Sequence, residues 1–97
     1  MTAGTVTVVL SGDLDAGNEC ALRDHLAWLV AGQPRRIVFD MAQVGFAGCA
    51  SARLIAGTGQ LLPAGTRPVI VRARPIVRRV FEVTGLGARC RFTDGAR

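Results

Sequence analysis

Apolar and polar positions along the chain follow two rhythms that alternate. Thr5 to Leu10 (TVTVVL) is β-branched and apolar and breaks at Ser11-Gly12, which predicts a buried strand. Acids and capping residues follow from Asp13 to Asn18. Leu22, Leu26, Leu29 and Val30 then fall on one stripe of a helix, with Arg23, Asp24 and Ala27 turned elsewhere. Asn18 is the expected N-cap, and Gly32 with Pro34 ends the helix. Arg36 to Asp40 is apolar on both faces, as a central strand of a parallel sheet is.

Gly48 to Leu62 reads as a second helix, although Gly57 and Gly59 each cost about 1 kcal/mol against Ala. Their benefit would be close packing on a neighbouring element. Pro63-Ala64-Gly65 makes the turn out. Arg67 to Arg72 (RPVIVR) is a third strand, with Pro68 admissible only at its start. Pro75 fits the first position of a third helix, in which Ile76, Val77, Val80 and Phe81 form the apolar stripe. Arg78 and Glu82 lie four apart on its outer face. Thr84-Gly85-Leu86 is a helix stop with Gly85 left-handed and Leu86 folded back, and Arg89 to Phe92 is a short last strand. The order β-α-β-α-β-α-β implies an α/β fold: one compact domain over residues 1–97, its four-stranded sheet mainly parallel or mixed and packed by helices.

Composition narrows the function. At 49% hydrophobic and 20% charged residues, the 97-residue chain has the balance of a folded protein. The net charge of +5 would suit nucleic acid, but every basic residue is Arg, they are scattered, and Tyr is absent beside one Trp and four Phe. Coding bias accounts for Arg over Lys, and a solvated helix face or an acidic protein partner explains the arginines better, so no nucleic-acid partner is expected. No apolar stretch could span a bilayer and no signal-peptide pattern opens the chain, so membrane insertion is not expected and the protein is read as cytoplasmic. Three cysteines without metal-ligand spacing agree with a reducing compartment.

Candidate chemistry concentrates between Ile37 and Ile55. There a strand ends in Asp40 and a Gly-containing link opens an Ala-rich helix whose first turn holds Cys49 and Ser51. A helix N-terminus presents unpaired N–H groups and the positive end of a dipole. Cys49 is therefore either a small buried residue filling space, a reactive thiol, or a backbone contact point whose side chain matters little. Asp40 is expected to fix the turn after its strand. Ser51 is expected to satisfy backbone groups at the helix start, and His25 is read as structural. Trp28, at the edge of the first helix's stripe, is core margin or an interface anchor. No phosphate-binding glycine motif, nucleophile–base pair or metal set is found, so neither an enzyme nor a cofactor is expected.

Four segments in order resemble the STAS domain of bacterial anti-sigma factor antagonists. Val9 to Asp15 (VLSGDLD) is similar to that family's strand followed by G-E-L-D, and Ile37 to Asp40 to its strand ending in Asp. Val44 to Ser51 (VGFAGCAS) aligns with V-x-F-[IM]-D-S-[ST]-G, and Val77 to Leu86 resembles its late helix ending in T-G-L. The family's first edge strand and final helix have little or no counterpart here. The resemblance implies a binding module that works by partner switching. Such antagonists bind an anti-sigma factor that is also a serine kinase, and phosphorylation of a Ser at the second helix, adding about −1.5 to −2 charges, breaks the complex.

In this chain Gly48 stands at the family's Asp, Cys49 at the phosphorylated Ser, Ala50 at the next Ser/Thr and Ser51 at the Gly. Binding without phosphorylation is thus expected. Ser51 is a weak alternative phosphosite, because it sits roughly 200° around the helix from Cys49. The expected partner surface comprises Asp13, Asp15, Gly48, Cys49, Ser51 and Arg53, and a homodimer is left open. The alternative implied by compact STAS proteins is an accessory subunit of a membrane lipid-transport ATPase.

Overall fold

A computed structural model of the chain describes residues 4–93. Four strands and three helices alternate as expected: β1 (Thr5–Leu14), α1 (Glu19–Ala31), β2 (Arg36–Ala47), α2 (Cys49–Gly57), β3 (Val69–Val71), α3 (Pro75–Val83) and β4 (Arg91–Thr93). The sheet is parallel throughout, in the order β1-β2-β3-β4. Successive right-handed crossovers that all step the same way put every helix on one face. Accordingly, Val6, Val8 and Leu10 of β1 pack toward the core with Ile37, Phe39 and Met41 of β2 and Ile70 of β3. Leu22, Leu26 and Leu29 of α1, Ile55 of α2, and Val77 and Phe81 of α3 close that layer.

Both long strands outrun their sequence signals. β1 continues through Ser11-Gly12 because Gly12 takes φ +81° and the ladder to β2 shifts register there. β2 runs on past Asp40 to Ala47, so no turn follows Asp40. α2 in contrast stops at Gly57 and tightens into a 3₁₀ turn, Thr58–Leu61, anchored by the Thr58 hydroxyl donating to the Ile55 carbonyl (2.7 Å). At Gly59 a Cβ would lie 3.0 Å from Pro68 Cδ, so the close approach to the strand start favours glycine. The space around Gly57 is open.

β3 is only three residues long. Pro68 precedes it, and Arg72 leaves it at φ +57°. Pro75 opens α3 and Gly85 takes φ +78°, both as expected, with Leu86 packed back onto the core. Ile76 departs from the predicted stripe. It is 59% exposed, while Val77 and Phe81 carry the contact. Asn18 does occupy the N-cap position of α1 but leaves the helix N–H groups to others. Its side chain accepts from the Asp15 N–H (3.0 Å) and donates to the Asp13 carbonyl (2.6 Å), bracing the loop instead.

Candidate binding surface at the start of the second helix

Parallel α/β sheets present loops at the carboxyl ends of their strands, where ligands and partners have access to helix N-termini. The two longest strands of this chain end side by side there. Leu14 pairs with Ala47 and Asp13 with Phe46, and the Gly48 N–H donates to the Leu14 carbonyl (2.8 Å). That bond fixes the start of α2 beside the Asp13–Asn18 loop. Asp15 accepts from the Gly17 N–H (2.9 Å), a local Asx turn, and the Asp13 carboxylate lies over Gly45.

Gly48 is the N-cap of α2, at φ −78° and ψ 166°, and no side chain caps the helix. Neither its conformation nor its surroundings demand glycine. A Cβ would meet only the Leu14 carbonyl at 3.6 Å and the edge of Phe46 at 3.9 Å, ordinary contact distances. The backbone at this position therefore accepts a Cβ.

Cys49 faces outward. This overturns the space-filling reading, because Ala52 and Ile55 already occupy the inward face of α2. Ser51 takes the opposite direction and is 1% exposed. It belongs to the core side of the helix and offers nothing to a partner surface. Arg53 is exposed one turn after Cys49, on the rim of a cleft of about 290 Å³ between α1 and α2 whose apolar wall includes Leu26, Val30, Leu54 and Leu61. Of the six residues expected at the surface, Asp13, Asp15, Gly48 and Cys49 come together at the strand ends, Arg53 extends the outer face of α2, and Ser51 drops out.

Phe46 is the residue sequence reasoning passed over. It is 44% exposed beside the N-cap, an apolar element within an otherwise small and polar surface. Strict alternation would put Phe46 inward with Val44, and only the extra residue that β2 inserts at Gly45, where the register shifts, turns Phe46 outward and Ala47 inward.

Asp40 has a different task from the one expected. It lies inside β2, buried on the face away from the helices, and receives the Arg72 guanidinium: Nε donates to Oδ1 (3.3 Å) and Nη2 to Oδ2. Those bonds, and next the Ala42 N–H (3.1 Å), hold the Asp40 carboxyl below its ordinary value of 3.8. The pair also holds Arg72 in its left-handed conformation at the end of β3. Because the folded pKa is lowered, this stabilisation is complete above the unfolded value and is lost as pH falls through the folded one. Asp40→Asn is therefore expected to lower the urea midpoint at neutral pH, with the difference from the parent chain shrinking below about pH 4. A difference that stays constant down to pH 2 would contradict this role.

The thiols divide by environment. Cys20 and Cys49 are exposed and Cys90 is buried beside β4, where desolvation pushes its pKa to about 11 against a smaller lowering by Arg67. Among the described residues, no three His, Cys, Asp or Glu side chains come close enough to hold a metal ion. No helix among them is long and apolar enough to cross a membrane.

The profile of the STAS domain matches residues 2–94. The chain belongs to the STAS family. In sequence the STAS domain is similar to the anti-sigma-F factor antagonist RsfB of Mycobacterium tuberculosis, 24% identical over 83 residues that make up 86% of this chain and 68% of that protein. In structure it is similar to an anti-sigma factor antagonist from Mycobacterium paratuberculosis, with a TM-score of 0.84 and 28% identity over 95% of this chain and 79% of that one. It also shares the fold of the anti-sigma factor antagonist SpoIIAA in its unphosphorylated form, with a TM-score of 0.75 and 24% identity over 93% and 80% of the two chains. In this fold Gly48 and Cys49 stand at the start of α2.

Proposed function

We propose that this STAS domain is a cytoplasmic regulatory binding module of the anti-sigma factor antagonist type. Its partner is an anti-sigma factor with serine-kinase activity, and it docks through Asp13, Asp15, Phe46, Cys49 and Arg53 around the Gly48 N-cap. The observation that carries the reading is the chemistry of one helical turn. Cys49 faces solvent at the switch position and Ser51, the hydroxyl nearest in sequence, is buried. Kinases act on hydroxyls they can reach, so the module binds without the usual phosphate release. Nothing in the reading requires catalysis by the domain itself.

The test is a calorimetric titration of the STAS domain with a candidate anti-sigma factor kinase, followed by incubation with ATP and intact-mass analysis. Saturable binding with no phosphate added is the expected result. Phosphate on Ser51 would overturn the regulatory half of the proposal. Failure to bind the kinase, together with co-purification with a transport ATPase, would overturn the partner and favour the accessory-subunit alternative.

A further inference from the structure

The cleft between α1 and α2 has two chemically different ends. Both helices link neighbouring parallel strands, so they run in the same direction. Arg23 and Arg53 each lie one turn into their helix and line the cleft, which puts both guanidiniums at one end of it. Toward the other end the lining is Leu26 and Val30 of α1 with Leu54 and Leu61 from α2 and the 3₁₀ turn after it. Leu61 is 65% exposed, a large apolar side chain that the core does not use. Thr58 carries the one hydroxyl of this lining, and it donates into the helix, to the Ile55 carbonyl.

Gly57 stands in the same wall. Its backbone is ordinary helix (φ −67°, ψ −19°), and a Cβ there would meet nothing within 4 Å. Neither conformation nor core packing calls for glycine, which costs about 1 kcal/mol against Ala in a helix. A larger side chain would, however, crowd the cleft that Gly57 lines. Arg53 makes no ion pair with any described residue. Arg23 gives one Nη to Glu19 (3.0 Å), an exposed pair of small energetic value, and keeps its other N–H donors.

We propose that this cleft binds a single-chain fatty acid anion of medium length. Its carboxylate lies on Arg53 and Arg23, and its tail runs toward Val30 and Leu61. Guanidinium groups match a carboxylate with paired N–H donors, while the wall beyond them offers an alkyl chain only apolar contacts. From Arg23 to Val30, and from Arg53 to Leu61, the wall extends about 10–14 Å. An extended chain of about eight to ten carbons covers that distance. The volume of about 290 Å³ suits one such tail and stands at the lower end of small-molecule sites. A cationic chain would face two guanidiniums, and a bare anion would leave the apolar wall in water. Arg53 also belongs to the proposed partner surface, so fatty acid and partner compete for it. The ligand site does not rest on that reading, and its test uses the domain alone.

That test is calorimetric titration of the full chain with sodium decanoate below its micelle concentration, with acetate and decyltrimethylammonium as controls for tail and charge. Saturable binding of one decanoate per chain is expected, with acetate silent and the cationic chain at least tenfold weaker. Gly57→Leu should weaken decanoate binding at least tenfold while raising the melting temperature, because the backbone has room and the helix loses its glycine. Arg53→Glu should abolish the preference for the anionic chain. Uptake that never saturates, or equal affinity for the two chains, would overturn the proposal. So would a stabilised Gly57→Leu that binds decanoate like the parent, or an Arg53→Glu that keeps the preference.

Discussion

Phe81→Ala is expected to lower the stability of the domain by about 3–5 kcal/mol. Domains of this size are held by about 5–15 kcal/mol in total, so the loss would consume a large part of the margin. Phe81 is fully buried on α3 and meets Phe92 edge-to-face, with ring centroids 5.5 Å apart. Phe92 lies in the middle of β4, a strand of only three residues. So short a ladder is reinforced by this ring contact and by the Arg78 guanidinium, 4.8 Å from the centre of the Phe92 ring. Truncating Phe81 leaves a cavity and also removes a contact that reinforces β4 in the sheet. Ile76→Ala, on the exposed side of the same helix, should change stability by no more than about 0.5 kcal/mol. Urea unfolding of the two variants checks both values. A loss below about 1 kcal/mol for Phe81→Ala would mean that β4 is held by other means.

Cys49→Glu is expected to weaken binding to the proposed anti-sigma factor partner by at least tenfold, about 1.4 kcal/mol. The position is exposed at the first residue of α2, so the substitution buries no charge. A negative side chain there complements the helix dipole, so the fold should be unharmed or slightly stabilised. An affinity loss with an unchanged melting curve would therefore belong to the interface. Asp13 and Asp15 already place two acids beside the position, and a third sets the surface against a partner that accepts the small cysteine side chain. Cys49→Ser is the control. It should bind like the parent chain and, unlike it, gain phosphate from the kinase when combined with Gly48→Asp, at a position where the backbone accepts a Cβ. Unchanged affinity in Cys49→Glu would move the docking surface away from α2.

The order and type of every element were legible because strand and helix rhythms in this chain rarely conflict. TVTVVL and the Leu22–Leu26–Leu29 stripe each admit one reading. The boundaries were less so, for reasons that lie beyond local sequence. Ser11-Gly12 looks like a strand end, yet a register shift with Gly12 at positive φ carries β1 through it. Asp40 looks like a strand terminus because charge is rare inside a sheet. It is tolerated because Arg72, 32 residues later, neutralises it from the end of β3. At the site, the helical rhythm put Gly48 and Cys49 at the start of α2, where the structure has them, while the direction of each side chain came from packing. Only the occupancy of the inward face by Ala52 and Ile55 decides that Cys49 points out and Ser51 in.

The strand order follows the chain order without exception. Among the described residues each strand therefore pairs with its neighbours in sequence, and each β-α-β step closes a loop of similar, modest length. Loop-closure entropy is thus paid in equal small steps, with no long-range pairing that must wait for the whole chain. A nascent chain can add β2 to β1, then β3, then β4, building a sheet that grows at one edge as synthesis proceeds. Shortening the chain from its C-terminal side correspondingly removes the outermost strand, while the long β1–β2 ladder beside the binding surface stays intact.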